Sequence, residues 1–115
     1  MSEPFDKEEL LEELDGDHEF LEESLEALAA DAPPLLEKLR EAVAGGNGEG
    51  VRQSAHTLKS MVGNFCAQPA FDAALRMEQL GAGGDLAQAA EAMDALSHEV
   101  ERLQASLQEL LEGLS

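Results

Sequence analysis

The chain has 115 residues, enough for one ordinary domain that buries an adequate core without staples. Twenty-five acidic side chains against seven basic ones give a formal charge of −18 and a pI near 4.2. That balance excludes the clustered Lys and Arg with which proteins neutralise a nucleic-acid backbone or an anionic membrane surface. Because 43% of residues are hydrophobic and they recur periodically, a folded domain is expected rather than an acidic disordered segment. Cys66 is the only cysteine, so neither an intrachain disulfide nor a multi-cysteine zinc site can form. Trp and Tyr are absent, which removes the usual stacking platforms for bases and sugars. No apolar run approaches the roughly 20 residues of a bilayer span. Met1 to Leu10 is acidic where a signal peptide would be basic and then greasy, so a cytoplasmic protein is expected.

A short helix is predicted from about Asp6 to Leu14, closed by Asp15-Gly16-Asp17. Asp17 then suits the N-cap of a second helix carrying Leu21, Leu25, Leu28, Ala32, Leu35 and Leu39 on one stripe. Pro33-Pro34 interrupts it, but the apolar register runs on, which predicts a kink or a restarted helix. After Gly45-Gly46-Asn47-Gly48, with Asn47 as cap, a third helix carries Val51, Ala55, Leu58, Val62 and Phe65. Cys66 is expected at its end as a small buried residue. A softer break at Ala67-Gln68-Pro69 starts a fourth helix, with Pro69 in its first turn. Gly81 to Gly84 reads as the next break, and Asp85 with Gln88 has capping-box spacing for the fifth segment. There Leu86, Ala89, Met93, Leu96, Val100, Leu103, Leu107, Leu110 and Leu114 keep a 3-4-3-4 spacing.

No segment alternates with a period of two, Val is scarce and Ile is absent, so the fold class is all-α. One stripe per helix with short connections predicts an antiparallel up-down four-helix bundle, preceded by the short extra N-terminal helix. Residues 1–115 read as a single domain, self-sufficient from first cap to tail, with a monomer as the expected state. Met61, Met77 and Met93 fall at helical spacing and read as core filler. The Glu-rich runs at Glu8-Glu9, Glu12-Glu13 and Glu22-Glu23 read as solvated faces.

His18 and His98 lack a second His or a Cys at ligand spacing and read as solvated helix residues, so no metal site is assigned. His56 differs. At about 100° per residue, Arg52, Lys59, Ser60 and Gly63 all fall within about 60° of it, while Val51, Leu58, Met61, Val62 and Phe65 lie roughly 140° to 240° away. The imidazole therefore points outward beside two of the seven cations and two small residues. An exposed neutral imidazole is a competent nucleophile. Lys59 and Arg52 would draw in an anion and balance an attached phosphoryl group, and Ser60 and Gly63 would let a partner approach for in-line transfer. A solvent-exposed histidine beside two ordinary surface cations accounts for the same spacing.

Ala55-His56-Thr57-Leu58-Lys59-Ser60, followed by Gly63 and Asn64, resembles the signature of histidine-containing phosphotransfer (HPt) domains, a His-x-Leu-Lys-Gly core on the second helix of a four-helix bundle. Pro33-Pro34-Leu35-Leu36 through Leu39-Arg40-Glu41-Ala42 resembles the family's helix into a Gly-rich turn. Leu75 to Leu80, with Gly83-Gly84-Asp85-Leu86, resembles its next helix and turn. The resemblance spans essentially the whole chain. It implies that His56 accepts the phosphoryl group on Nε2, that Lys59 helps to hold the phosphoryl oxygens, and that Gly63 keeps the surface open. Glu78 stands where the family often has a Gln or Glu on the other ring nitrogen. Two positions depart from the pattern: Ser60 replaces the usual Gly, and Cys66 stands where a second Gly is common.

What this implies is a phosphohistidine carrier in a multistep two-component phosphorelay, charged by a receiver-domain aspartate and discharged to another receiver. Its partners would be receiver domains of response regulators or hybrid sensor kinases. It would have no cofactor of its own, with Mg²⁺ supplied on the receiver. No GxxxxGK[ST] phosphate loop occurs, so no ATP-dependent kinase activity is expected. Two alternatives remain: a non-catalytic helical adaptor, and an HPt domain belonging to a larger sensor or chemotaxis-type kinase.

Overall fold

The computed structural model describes residues 4–114, so the outermost residues of the expected 1–115 domain lie outside the described residues. Five helices follow in order: α1 (Lys7–Leu14), α2 (His18–Ala44), α3 (Gly48–Gly63), α4 (Gln68–Gly83) and α5 (Ala89–Leu114), with no strand among the described residues. Three starts are capped through a side chain. Asp6 accepts from the Glu9 amide, Asp17 from that of Phe20 and Asn47 from that of Gly50, each at 3.0–3.1 Å. Such caps satisfy amides that the first turn leaves without partners.

The apolar stripes meet at one core. Leu21, Leu28 and Leu39 of α2, Val51, Leu58 and Val62 of α3, Met77 of α4 and Leu96, Val100, Leu103 and Leu107 of α5 are fully buried. Truncating one such leucine to alanine costs about 2–5 kcal/mol. The four long helices touch in a ring, α2 on α3, α3 on α4, α4 on α5 and α5 back on α2, while α1 rests against α2. Arg40 Nη2 donates to Ser97 Oγ at 2.9 Å, a polar tie between α2 and α5. The segment before α1 is pinned at the other end: Phe5 is buried and the Asp6 amide donates to the Cys66 carbonyl at 2.9 Å.

Four local expectations are corrected. Of the kink and the restart expected at Pro33-Pro34, the restart is removed: helix α2 runs unbroken through both prolines. The two missing amides would have met the carbonyls of Ala29 and Ala30, both on exposed residues, where water can take their place. Helix α4 continues through Gly81 to Gly83, so the break begins at Gly84, which ends the helix in the left-handed conformation at φ +70°. Asp85 and Gln88 form no capping box. The Asp85 carboxylate turns back to the Ala87 amide at 3.2 Å, the Gln88 side chain accepts from Arg76 at 3.1 Å, and α5 opens only at Ala89. Cys66 is half-buried and lies beyond α3 with φ +55°, a left-handed backbone in the turn to α4.

Candidate functional site

Helix α3 is held by its buried stripe, so its opposite face is fixed in direction. His56, Ser60 and Gly63 lie exposed on that face, with Arg52 and Lys59 half-buried beside them. The His56 side chain is 55% exposed. Facing it across the α3–α4 seam is Glu78, whose helical neighbours Met77 and Gly81 are buried, which fixes the carboxylate at the seam.

Glu78 bridges two residues of α3. Its Oε2 lies 2.8 Å from His56 Nδ1, and its Oε1, an oxygen that water does not reach, lies 2.7 Å from Lys59 Nζ. Glu78 and Lys59 are 17% and 19% exposed, so this ion pair is screened far less than a surface pair. The Lys59 ammonium holds the Glu78 carboxyl below its ordinary value, with the imidazole contact adding to it, against the opposing effect of partial burial. An ionised carboxylate only accepts, so the contact to His56 requires the proton on Nδ1. In the neutral ring the lone pair then resides on Nε2, the nitrogen free to react.

The rest of the face is less basic than its composition predicts. Arg52 is engaged on its own helix: its Nε donates to Glu49 Oε2 at 3.0 Å, and Gln53 joins the same carboxylate. Glu49 is correspondingly lowered and Arg52 raised by their mutual hydrogen bond. Lys59 in turn lies 5.9 Å from the centroid of the Phe71 ring, on α4. Phe71 also borders Gly63, where an added Cβ would meet the ring at 3.5 Å, an ordinary contact. Gly63 is therefore not required by space within this chain.

His56, Lys59 and Glu78 are thus brought together, while Arg52 is diverted to Glu49 and Ser60 stands exposed. His18 and His98 are exposed on other helices. Sequence reasoning missed Phe71 beneath Lys59, for which nothing in the local pattern gives a signal. It also missed a close backbone approach at Gly48 and Gly81. There a Cβ on Gly81 would stand 2.6 Å from the Arg52 backbone nitrogen and 2.7 Å from the Gly48 carbonyl oxygen. A glycine inside a helical run is the one sequence signal for such a contact.

Cys66 lies past the Gly63 end of this face, its amide donating to the Gly63 carbonyl at 3.3 Å. Its thiol is 3.7 Å from Glu13 Oε2 and is pushed up to about 12 by burial and by the nearby Glu13 and Glu9 charges. A thiol so raised is a poor nucleophile.

Neither the curated proteins nor the solved structures include a match to the chain. The family model of the Hpt domain matches residues 23–106, a span that contains His56, Lys59 and Glu78, and the chain therefore belongs to the Hpt domain family, which implies histidine phosphotransfer in phosphorelay signalling.

Proposed function

We propose that this protein is a phosphohistidine carrier: His56 accepts a phosphoryl group from a receiver-domain aspartate and passes it to a second receiver. The observation that carries the reading is the single carboxylate of Glu78, which binds His56 Nδ1 at 2.8 Å on a ring that remains half exposed. The four long helices, read as an antiparallel up-down bundle, serve as the scaffold that sets α3 against α4.

The Nε2 lone pair attacks phosphorus, the P–N bond forms, and the acyl-phosphate P–O bond breaks to return the receiver's carboxylate. The ring keeps its Nδ1 proton and gains positive charge, and Glu78 stabilises that charge without taking the proton. Discharge runs the same path backwards, with the neutral ring as leaving group. Mg²⁺ would be held by the receiver's acidic pocket, where it would offset phosphoryl charge, and no cofactor is assigned to the carrier. Lys59 serves the phosphoryl oxygens by turning from Glu78, while Arg52, held by Glu49, contributes field rather than contact. Ser60 adds one hydroxyl beside the ring and tunes which receivers dock. Gly63 leaves the face low at the partner's point of approach.

Docking uses the His56 face together with exposed apolar surface next to it. Phe20 is 57% exposed and lines an α2–α3 groove of about 570 Å³ with Met61 and Gly63, the latter on the histidine face. The chain's charge of −18 argues against nucleic acid as a partner. Among the described residues, no helix is long and apolar enough to cross a membrane. We read the protein as a cytoplasmic monomer working through transient complexes.

The test is transfer from receivers charged on aspartate to the wild type and to His56→Gln. Acid-labile, base-stable phosphate on the wild type alone supports the carrier. Transfer to His56→Gln sinks it, and a folded wild type left unlabelled by every receiver favours the adaptor. A parallel arm with a kinase core and ATP separates a receiver donor from the chemotaxis-type arrangement.

A further inference from the structure

One turn away from the histidine, the backbones of the α3–α4 seam approach each other closely. Gly81 follows Glu78 by three residues on α4, and Arg52 precedes His56 by four on α3, so both lie one turn toward the same end of the seam. There the two backbones meet. A Cβ on Gly81 would stand 2.6 Å from Arg52 N, 2.7 Å from Gly48 O and 3.0 Å from Val51 Cγ1. A Cβ on Gly48 would stand 2.8 Å from Gly81 O. Ordinary carbon contacts begin at about 3.5 Å. Two of the atoms that block Gly81 are backbone, which cannot swing aside as a side chain can, so any larger residue there parts the helices.

That spacing bears on the chemistry one turn along. Glu78 reaches His56 Nδ1 at 2.8 Å and Lys59 Nζ at 2.7 Å, both across the same seam and with a carboxylate that has only a short stem. We propose that Gly81, with Gly48 opposite it, is a positioning residue of the phosphotransfer site. Its lack of a side chain sets the α3–α4 distance at which one Glu78 carboxylate can hold both the His56 ring and Lys59. Gly81 touches neither the ring nor the phosphoryl group and acts only through Glu78. The inference rests on the phosphotransfer reading for its consequence, but its geometry can be read in the unphosphorylated protein.

The test compares Gly81→Ala, Gly48→Ala, Glu78→Ala, the double variant Gly81→Ala/Glu78→Ala, and Gly83→Ala, whose added Cβ meets nothing within 4 Å. Two quantities are read: the tautomer of the unphosphorylated His56 ring from its ¹⁵N shifts, and the rate of transfer from a charged receiver. The wild type is expected in the Nδ1–H form. Gly81→Ala should shift the neutral ring to a majority Nε2–H form and slow transfer roughly tenfold to a hundredfold, the penalty expected of a displacement near 1 Å. Gly48→Ala should move both in the same direction, and Gly83→Ala neither. In the Glu78→Ala background, Gly81→Ala should add nothing to either quantity.

An unchanged tautomer in a folded Gly81→Ala protein overturns the proposal, as does an effect of equal size with Glu78 already removed. Loss of folding in both glycine variants also overturns it, because the contact would then be structural alone. A wild type that shows the Nδ1–H form yet takes no phosphate instead removes the phosphotransfer reading while leaving the geometric claim standing.

Discussion

Lys59 lies 2.7 Å from a Glu78 oxygen that water does not reach, so this cation of the His56 face is already engaged before any phosphoryl group arrives. This relationship changes what removing Lys59 should do. An isolated surface cation would contribute almost nothing to stability. Here its loss leaves a half-buried carboxylate with one partner fewer, which costs about 1–3 kcal/mol. Lys59→Ala should therefore slow transfer at least tenfold while lowering the unfolding free energy by about 1 kcal/mol. Stopped-flow transfer and urea unfolding on one preparation check it. A loss of stability with an unchanged transfer rate would make Lys59 a structural partner of Glu78 and nothing more.

The same carboxylate predicts a pH dependence. Glu78 is held below its ordinary value of 4.5 in the folded chain, chiefly by Lys59. A group lowered in the folded state contributes stability that is fully present above its unfolded value and is lost as pH falls through the folded one. The part of the stability difference between wild type and Glu78→Gln that depends on the Glu78 charge should thus be present at neutral pH and shrink steadily as pH falls below about 4.5. Urea titrations from pH 3 to 7 read this directly. A difference that persists unchanged at pH 3 would mean that the contacts to Lys59 and His56 contribute nothing through charge.

How much of this was legible in the sequence depends on whether a feature is local to one helix. The outward direction of His56 follows from the spacing of Val51, Leu58 and Val62 alone, and the structure exposes it on that ground. Glu78 belongs to another helix, and periodicity cannot set the rotation of α4 against α3. Only the resemblance to HPt domains pointed to that position. Gly81 reads as punctuation in the sequence because glycine ends helices more often than it brings two together, and the distinction lies in Arg52 and Gly48, which are remote in sequence. Pro33-Pro34 left a kink and a restart both open for a related reason: the cost of missing amides depends on whether the orphaned carbonyls are exposed, which only packing decides.

Cys66 carries a separate prediction. Its φ of +55° places an L-residue in the left-handed region, which only glycine adopts without steric cost. The resemblance to HPt domains implies glycine at this position, the residue that the observed backbone angle favours. Cys66→Gly gives up only a half-buried thiol and should raise stability by about 1 kcal/mol, a few degrees in Tm. Calorimetry checks it, and a lower Tm would show that the thiol's packing outweighs the backbone strain. In the wild type, with the thiol pushed up to about 12, alkylation at pH 8 should run roughly a hundredfold slower than for free cysteine.

Phe20 separates docking from folding. It is 57% exposed at the first turn of α2, where its amide is held by the Asp17 cap, so its ring adds little to the core. Its groove reaches Gly63, about 10 Å along α3 from His56, well inside the footprint of roughly 800 Å² that one partner covers in an ordinary complex. Aromatic anchors of this kind contribute about 1–2 kcal/mol or more when a partner buries them. Phe20→Ala should therefore weaken receiver binding about tenfold while changing stability by less than about 0.5 kcal/mol. It should also leave the His56 tautomer as in the wild type, since the ring lies on the α2 side of α3 and Glu78 on the α4 side. Calorimetric titration with a receiver, beside unfolding of the free protein, makes the comparison. Undiminished affinity in the folded variant would move the docking surface to the Phe71 side of the histidine.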